Sequence, residues 1–166
     1  MKGTAESLAE ISDYLYKKNH EGASEIITRL EIDYLAMTSN LYDTDVIKSK
    51  AVEFITSKFN YIRTFTKSLF TLFEERVVMA QGELLSSELF YLLLKDRGFN
   101  PAMIPALEYM RTDKNLVPDA RYVKDRLVEL LDAAKDADLY ITQGYISRNA
   151  YGEIDDLRKG GSDYTA

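Results

Sequence analysis

Between Ala23 and Gln81 the chain contains neither glycine nor proline. Glycine weakens a helix through backbone entropy and proline removes a backbone donor, so their joint absence commits this stretch to long helices. Within it, Ala23, Ile27, Leu30, Tyr34, Met37 and Leu41 recur at the alternating four-and-three spacing of one helix face. The polar segment from Ser39 to Asp45 carries cap-type residues and predicts a turn. A second stripe follows, made of Val52, Ile55, Phe59, Ile62, Leu69 and Phe73, with Thr66 filling its one polar gap. The spacing predicts two antiparallel helices over 22–40 and 45–74. A shorter helix precedes them, with Leu8, Ile11 and Leu15 on one face and Thr4 as its N-cap.

From residue 82 the grammar changes. Glu83 to Asp96 reads as a helix that starts after Gly82 and stops at Gly98. Short apolar runs punctuated by Pro101 and Pro105 follow, then an amphipathic helix from Asp119 to Ala134 carrying Val123, Leu127, Leu130 and Leu131. Leu139 to Thr142 is a strand by its aromatic and β-branched content, ending at Gln143-Gly144. Strand, helix, strand predicts a βαβ unit with parallel pairing. Ile146 to Leu157 reads as a hairpin with Gly152 near its tip. The fold class expected is therefore α/β and helix-rich, with a long helical hairpin and an incomplete, mainly parallel sheet.

Composition narrows the chemistry. The chain has 21 Lys and Arg against 27 Asp and Glu, a formal charge of −6, which argues against a nucleic-acid or anionic-membrane partner. Cysteine is absent and His20 is the single histidine, so thiol nucleophiles, thiolate sites and multi-histidine metal sites are excluded from this chain. The longest unbroken apolar run, Leu89 to Leu94, is far short of the roughly 20 residues a membrane helix needs. The N-terminus shows no apolar segment of the signal-peptide kind, and a cytoplasmic location is expected. Catalysis here would run on carboxylates, cationic side chains, hydroxyls and backbone amides.

Neither a G-x-G-x-x-G nor a G-x-x-x-x-G-K-[ST] motif occurs. Gly160-Gly161 precedes Ser162 and Asp163, both N-cap residue types. Such a turn either simply caps a helix or presents backbone N–H groups to an anion. Glu83 reads either as a first-turn glutamate favoured by the helix dipole or as a carboxylate that recognises an ammonium group. Gln143-Gly144 lies at the carboxyl end of a strand, where ligands bind in open α/β sheets. Arg111-Thr112-Asp113 ends an apolar run and reads as a solvated loop.

The order of these segments is more telling than any one of them. Gly82-Glu83-Leu84-Leu85-Ser86-Ser87, then Arg111-Thr112-Asp113, then Gln143-Gly144-Tyr145, then Gly160-Gly161-Ser162-Asp163-Tyr164-Thr165-Ala166 resembles the aspartokinase family, of the amino-acid kinase fold. Met1 to Leu8 is similar to the family's S-A-M-x-G-T-T-[ND]-x-L, entered at its internal methionine, so the resemblance spans the chain. It implies that residues 1–166 are a fragment of one catalytic domain, with a helical subregion over 1–75 and an α/β part over 76–166. It further implies that the family's K-F-G-G-T-S loop, its nucleotide-binding half and its regulatory ACT domains lie outside the fragment.

The same resemblance implies an activity: MgATP-dependent phosphorylation of the side-chain carboxylate of L-aspartate, in amino-acid biosynthesis, by a parent protein that is a homodimer. Glu83 falls on the carboxylate that binds the substrate amine, Ser162 on a serine beside the substrate, and Asp163 on the catalytic aspartate that organises the phosphate-side lysine and metal. Gly160 and Gly161 fall on the cofactor-binding glycines. Lys159 stands where the family has an arginine facing a substrate carboxylate, which replaces a bidentate fork by a point charge. Ala5 stands where the family has a threonine that contacts aspartate. The isolated fragment is expected to be inactive. Another amino-acid kinase of this fold and a non-catalytic helical interaction module are the alternatives.

Overall fold

The structure, a computed structural model, describes residues 3–157. Helices α1 (Thr4–Tyr16), α2 (His20–Leu41), α3 (Asp45–Thr64) and α4 (Leu72–Asp96) come first. Strand β1 (Pro101–Met103), the short helix α5 (Ala106–Tyr109), helix α6 (Ala120–Ala133) and strands β2 (Leu139–Ile141), β3 (Ile146–Arg148) and β4 (Ile154–Asp156) complete it. Helix accounts for 65% of the described residues. Strand β1 pairs in parallel with β2, Met103 opposite Ile141, and β3 pairs antiparallel with β4 around Gly152 at φ +82°. The expected helix-rich α/β class, parallel pairing and hairpin are all present.

Two cores divide the interior. One is built by the four long helices, with Leu8, Ile27, Tyr34, Ile55, Phe59, Ile62 and Leu85 fully enclosed. The other joins Ala80 on α4 to Ile104, Ala106, Tyr109, Met110, Ile146 and Leu157, with the apolar face of α6 packed on it. Helix α4 serves both. By length and composition it is also long and apolar enough to cross a bilayer, with mean hydropathy 1.3 over an 18-residue window. Val78, Leu85, Leu89 and Leu92 serve the first core and Ala80 the second, while Leu72, Phe73 and Phe90 are exposed.

Three boundaries differ from expectation. Gly3, at φ +87°, takes the N-cap of α1, and Thr4 is the first helical residue. The Thr4 hydroxyl lies 2.9 Å from the Tyr34 hydroxyl in the interior, where satisfying a buried phenol outweighs capping. Helix α3 stops at Thr64 instead of running to residue 74. A capping box starts α4: Phe73 N–H donates to Thr71 Oγ1 at 3.2 Å, and Thr71 N–H donates to the Glu74 carboxylate at 2.8 Å. That restart resets the helical phase. Phe70 turns inward, edge-on to Tyr16 at 5.0 Å, while Leu69, Phe73 and also Val52 from the second stripe are exposed.

The third difference bears on function. Gly82 and Glu83 do not open a helix; they lie in the middle of α4. Glycine is tolerated there because α1 crosses α4 at that point. A Cβ on Gly82 would sit 3.2 Å from Leu8 Cδ1 and 3.6 Å from Thr4 Cγ2. The roughly 1 kcal/mol of lost helix propensity is offset by this close approach. Replacing Gly82 with valine is therefore expected to destabilise the fold by about 1–3 kcal/mol through overpacking, despite valine's better propensity. Urea unfolding with an unchanged m-value would show it; a gain in stability would mean that the crossing is loose.

Candidate functional site

A cleft of about 250 Å³ opens where α1 crosses α4. Thr4, Ala5 and Leu8 of α1 form one side and Tyr34 of α2 contributes beneath them. Met79, Gly82, Glu83 and Ser86 of α4 form the facing side, and Tyr145, just beyond β2, closes the end. The volume suits a small metabolite, not a polymer. Gly82 makes the cleft possible by bringing the helices together, and the next residue, Glu83, is thereby carried to its wall.

Glu83 is half-buried, and the loss of hydration pushes its carboxyl pKa up. Among the described residues no cationic side chain pairs with it. Its place in mid-helix removes the dipole explanation for a glutamate here, because that effect falls off within the first turn. What remains is a desolvated carboxylate facing a small cleft beside hydroxyl groups. Such a group attracts an ammonium ion that brings its own hydrogen-bond donors.

Tyr145 is held in an unusual backbone state. Its φ is +70°, costly for an aromatic residue, and Ile146 N–H donates to Gly144 O across it at 2.8 Å. This is the left-handed form of the three-residue γ-turn, rare because it is strained. Leu157 N–H donates to Tyr145 O at 2.7 Å, so the hairpin holds the turn in place. Burial, then the nearby Asp156 carboxylate that accepts from its hydroxyl, raise the Tyr145 phenol above its ordinary value. Strained backbone of this kind concentrates at functional sites.

Of the sequence-predicted residues, Glu83 lies in the cleft, and so does Ala5. Lys159, Gly160, Gly161, Ser162 and Asp163 lie outside the described residues. Gln143 is buried and points into the fold, not the cleft. Arg111-Thr112-Asp113 is structural. Arg111 pairs with Asp119 at 2.6 Å and stacks over Tyr122, and Asp113 accepts the N–H groups of Asn115 and Val117. Most other cleft residues were not legible as contacts, the two tyrosines among them. Tyr34 looked like one more member of a core stripe, and Tyr145 was only the third letter of a motif. Among the described residues there is no group of three or more carboxylate or histidine side chains placed to hold a metal.

The fold around this cleft is a helix-rich α/β architecture, a four-helix layer set against small parallel and antiparallel strand pairs. It is shared with the aspartokinases. Aspartokinase III of Escherichia coli, in complex with aspartate and ADP, superimposes with a TM-score of 0.72 at 22% identity over 95% of this chain. The same enzyme in complex with lysine and aspartate gives the same values. The aspartate kinase of Clostridium acetobutylicum gives a TM-score of 0.68 at 16% identity over 98% of this chain. The chain spans 37% of the length of the E. coli enzyme and 33% of the clostridial one. No protein-family model and no curated protein matches the sequence.

Proposed function

We propose that this chain is the substrate-side part of an aspartokinase, transferring phosphate from MgATP to the side-chain carboxylate of L-aspartate. The observation that carries this reading is Glu83: a half-buried carboxylate without a cation partner among the described residues, in a cleft of amino-acid size on an aspartokinase fold. In this reading Glu83 receives the substrate ammonium. Lys159 faces a substrate carboxylate, Ser162 lies beside the substrate, the Gly160 and Gly161 amides cradle phosphate, and Asp163 organises the phosphate side with its Mg2+. The chemistry is phosphoryl transfer, which depends on positioning and charge neutralisation and so needs neither cysteine nor histidine. That the E. coli neighbour is a complex with aspartate and ADP supports both substrate and nucleotide.

Titrating L-aspartate into the 166-residue chain, followed by amide NMR shifts, tests the reading. A dissociation constant of ~1 mM is expected for a cleft of this size. Glu83→Gln should weaken it at least about tenfold, since a charge-assisted hydrogen bond is worth about 1.5–3 kcal/mol. Succinate, a dicarboxylate without the ammonium group, should bind the variant no worse than the parent chain. Equal aspartate affinity in the two proteins would overturn the assignment.

Acidity supplies a second signature. Ammonium capture needs ionised Glu83, and its pKa lies above the ordinary glutamate value. Aspartate affinity should therefore begin to fall, on acidification, at a higher pH than an ordinary glutamate would give, and Glu83→Gln should flatten the profile. Stability runs the opposite way. A carboxyl raised in the folded state favours folding below its unfolded pKa and loses that contribution as pH rises through the folded value. At neutral pH, Glu83→Gln should melt no lower than the parent chain while binding less well.

A further inference from the structure

We propose that Gln143 is a positioning residue for Glu83, acting through Ser87 to fix the distance between the two walls of the cleft. The inference rests on reading that cleft as the aspartate site. Gln143 is 4% exposed and both ends of its amide are engaged. Its Oε1 accepts the Ala106 N–H at 2.8 Å, and its Nε2 donates to Ser87 Oγ at 2.7 Å and to Met103 Sδ at 3.4 Å. Ser87 Oγ in turn donates to the Glu83 carbonyl at 2.8 Å. The direction of each bond is set. Having accepted the amide proton, the serine hydroxyl commits its own proton to the turn of α4 that carries Glu83.

This relay meets α4 where the helix most needs it. Gly82 makes the turn intrinsically weak, and a serine bonded back to the carbonyl four residues earlier tends to bend a helix. Anchoring that hydroxyl to a buried side chain outside α4 holds this turn in one arrangement. The anchor itself stands two residues before Tyr145, the strained residue that closes the cleft from the other side. One side chain thus spans from the Tyr145 wall to the Glu83 wall. Glutamine suits the position because Ala106 needs an acceptor and Ser87 needs a donor. Glutamate would offer only the first and methionine neither.

The test compares Gln143→Met, Ser87→Ala and Ser87→Thr in the 166-residue chain. The first measurement needs no ligand: the carboxyl carbon of Glu83 is titrated by NMR. Gln143→Met and Ser87→Ala should both move that titration toward the ordinary glutamate range, and Ser87→Thr, which keeps the hydroxyl, should recover most of the shift. The second measurement is aspartate affinity. Gln143→Met should weaken it about fivefold, the size of one buried hydrogen bond, and should add nothing when Glu83 is already glutamine. If Gln143→Met does not fold, Ser87→Ala carries the same comparison. An unchanged Glu83 titration in folded Gln143→Met or Ser87→Ala overturns the proposal. So does an equal loss of affinity with and without the Glu83 carboxylate, which would mean general loosening. If the parent chain binds no aspartate, the functional reading fails alone and the titration still decides the role of Gln143.

Discussion

Arg76→Met is expected to cost about 3–5 kcal/mol of folding stability, because it strands a buried carboxylate. Asp155 on β4 has a side chain only 3% exposed, and Arg76 Nη1 on α4 stands 3.0 Å from its Oδ2. Its Oδ1 accepts the Asp156 N–H at 2.8 Å, but Oδ2 has no aligned hydrogen bond, so the guanidinium charge is its main compensation. Removing that charge leaves an ion in low dielectric without hydration. The double substitution Arg76→Met with Asp155→Leu should return most of the loss, since apolar replacement of a buried pair is often neutral. Urea denaturation of the three proteins measures this; a single-variant loss below 1 kcal/mol would show that water reaches Asp155.

Phe59→Ala should cost about as much, roughly 3–5 kcal/mol, by opening a cavity at the centre of the helical core. Phe59 is fully buried on α3 and its ring lies 5.7 Å from that of Tyr34. Tyr34 is the residue beneath the cleft, and its hydroxyl is tied to Thr4. The loss is therefore a matter of packing first and of the site second. Phe59→Leu, which refills most of the space, should cost distinctly less. Since a domain of this size is stable by about 5–15 kcal/mol, the alanine variant should approach the unfolding threshold at 37 °C. A loss smaller than that of Phe59→Leu would mean that Tyr34 collapses into the space.

Periodicity reached far into this fold. The stripe from Ala23 to Leu41, the face of α1, the amphipathic α6, strand β2 and the hairpin around Gly152 were all legible, because each buries one face and writes that burial at a fixed spacing. What failed was phase. Thr66, Leu69 and Phe73 continue the α3 spacing on paper, yet the chain breaks at Thr64, and the break is written in the Thr71–Glu74 capping pair, a short-range signal that a long stripe conceals. Gly82 failed for a different reason. Its breaker tendency is small enough that one close contact with Leu8 overrides it, and that contact joins residues distant in sequence. At the site, Glu83 was legible as a residue type in a motif. The Tyr145 wall and the Gln143 relay were not, since a strained turn and an inward-facing amide leave no periodic trace.

Helix α4, unbroken from Leu72 to Asp96, is a rod of roughly 37 Å. Glu83 stands near its midpoint, at the place where α1 bears directly on it through Leu8 and Gly82. A rod held at its centre behaves as a lever on a fulcrum. Any tilt about that point would displace Leu72 and Asp96 far more than the group at the bearing. On the proposed reading, the carboxylate that would receive an ammonium is thus carried at the point of the longest helix that a tilt would displace least.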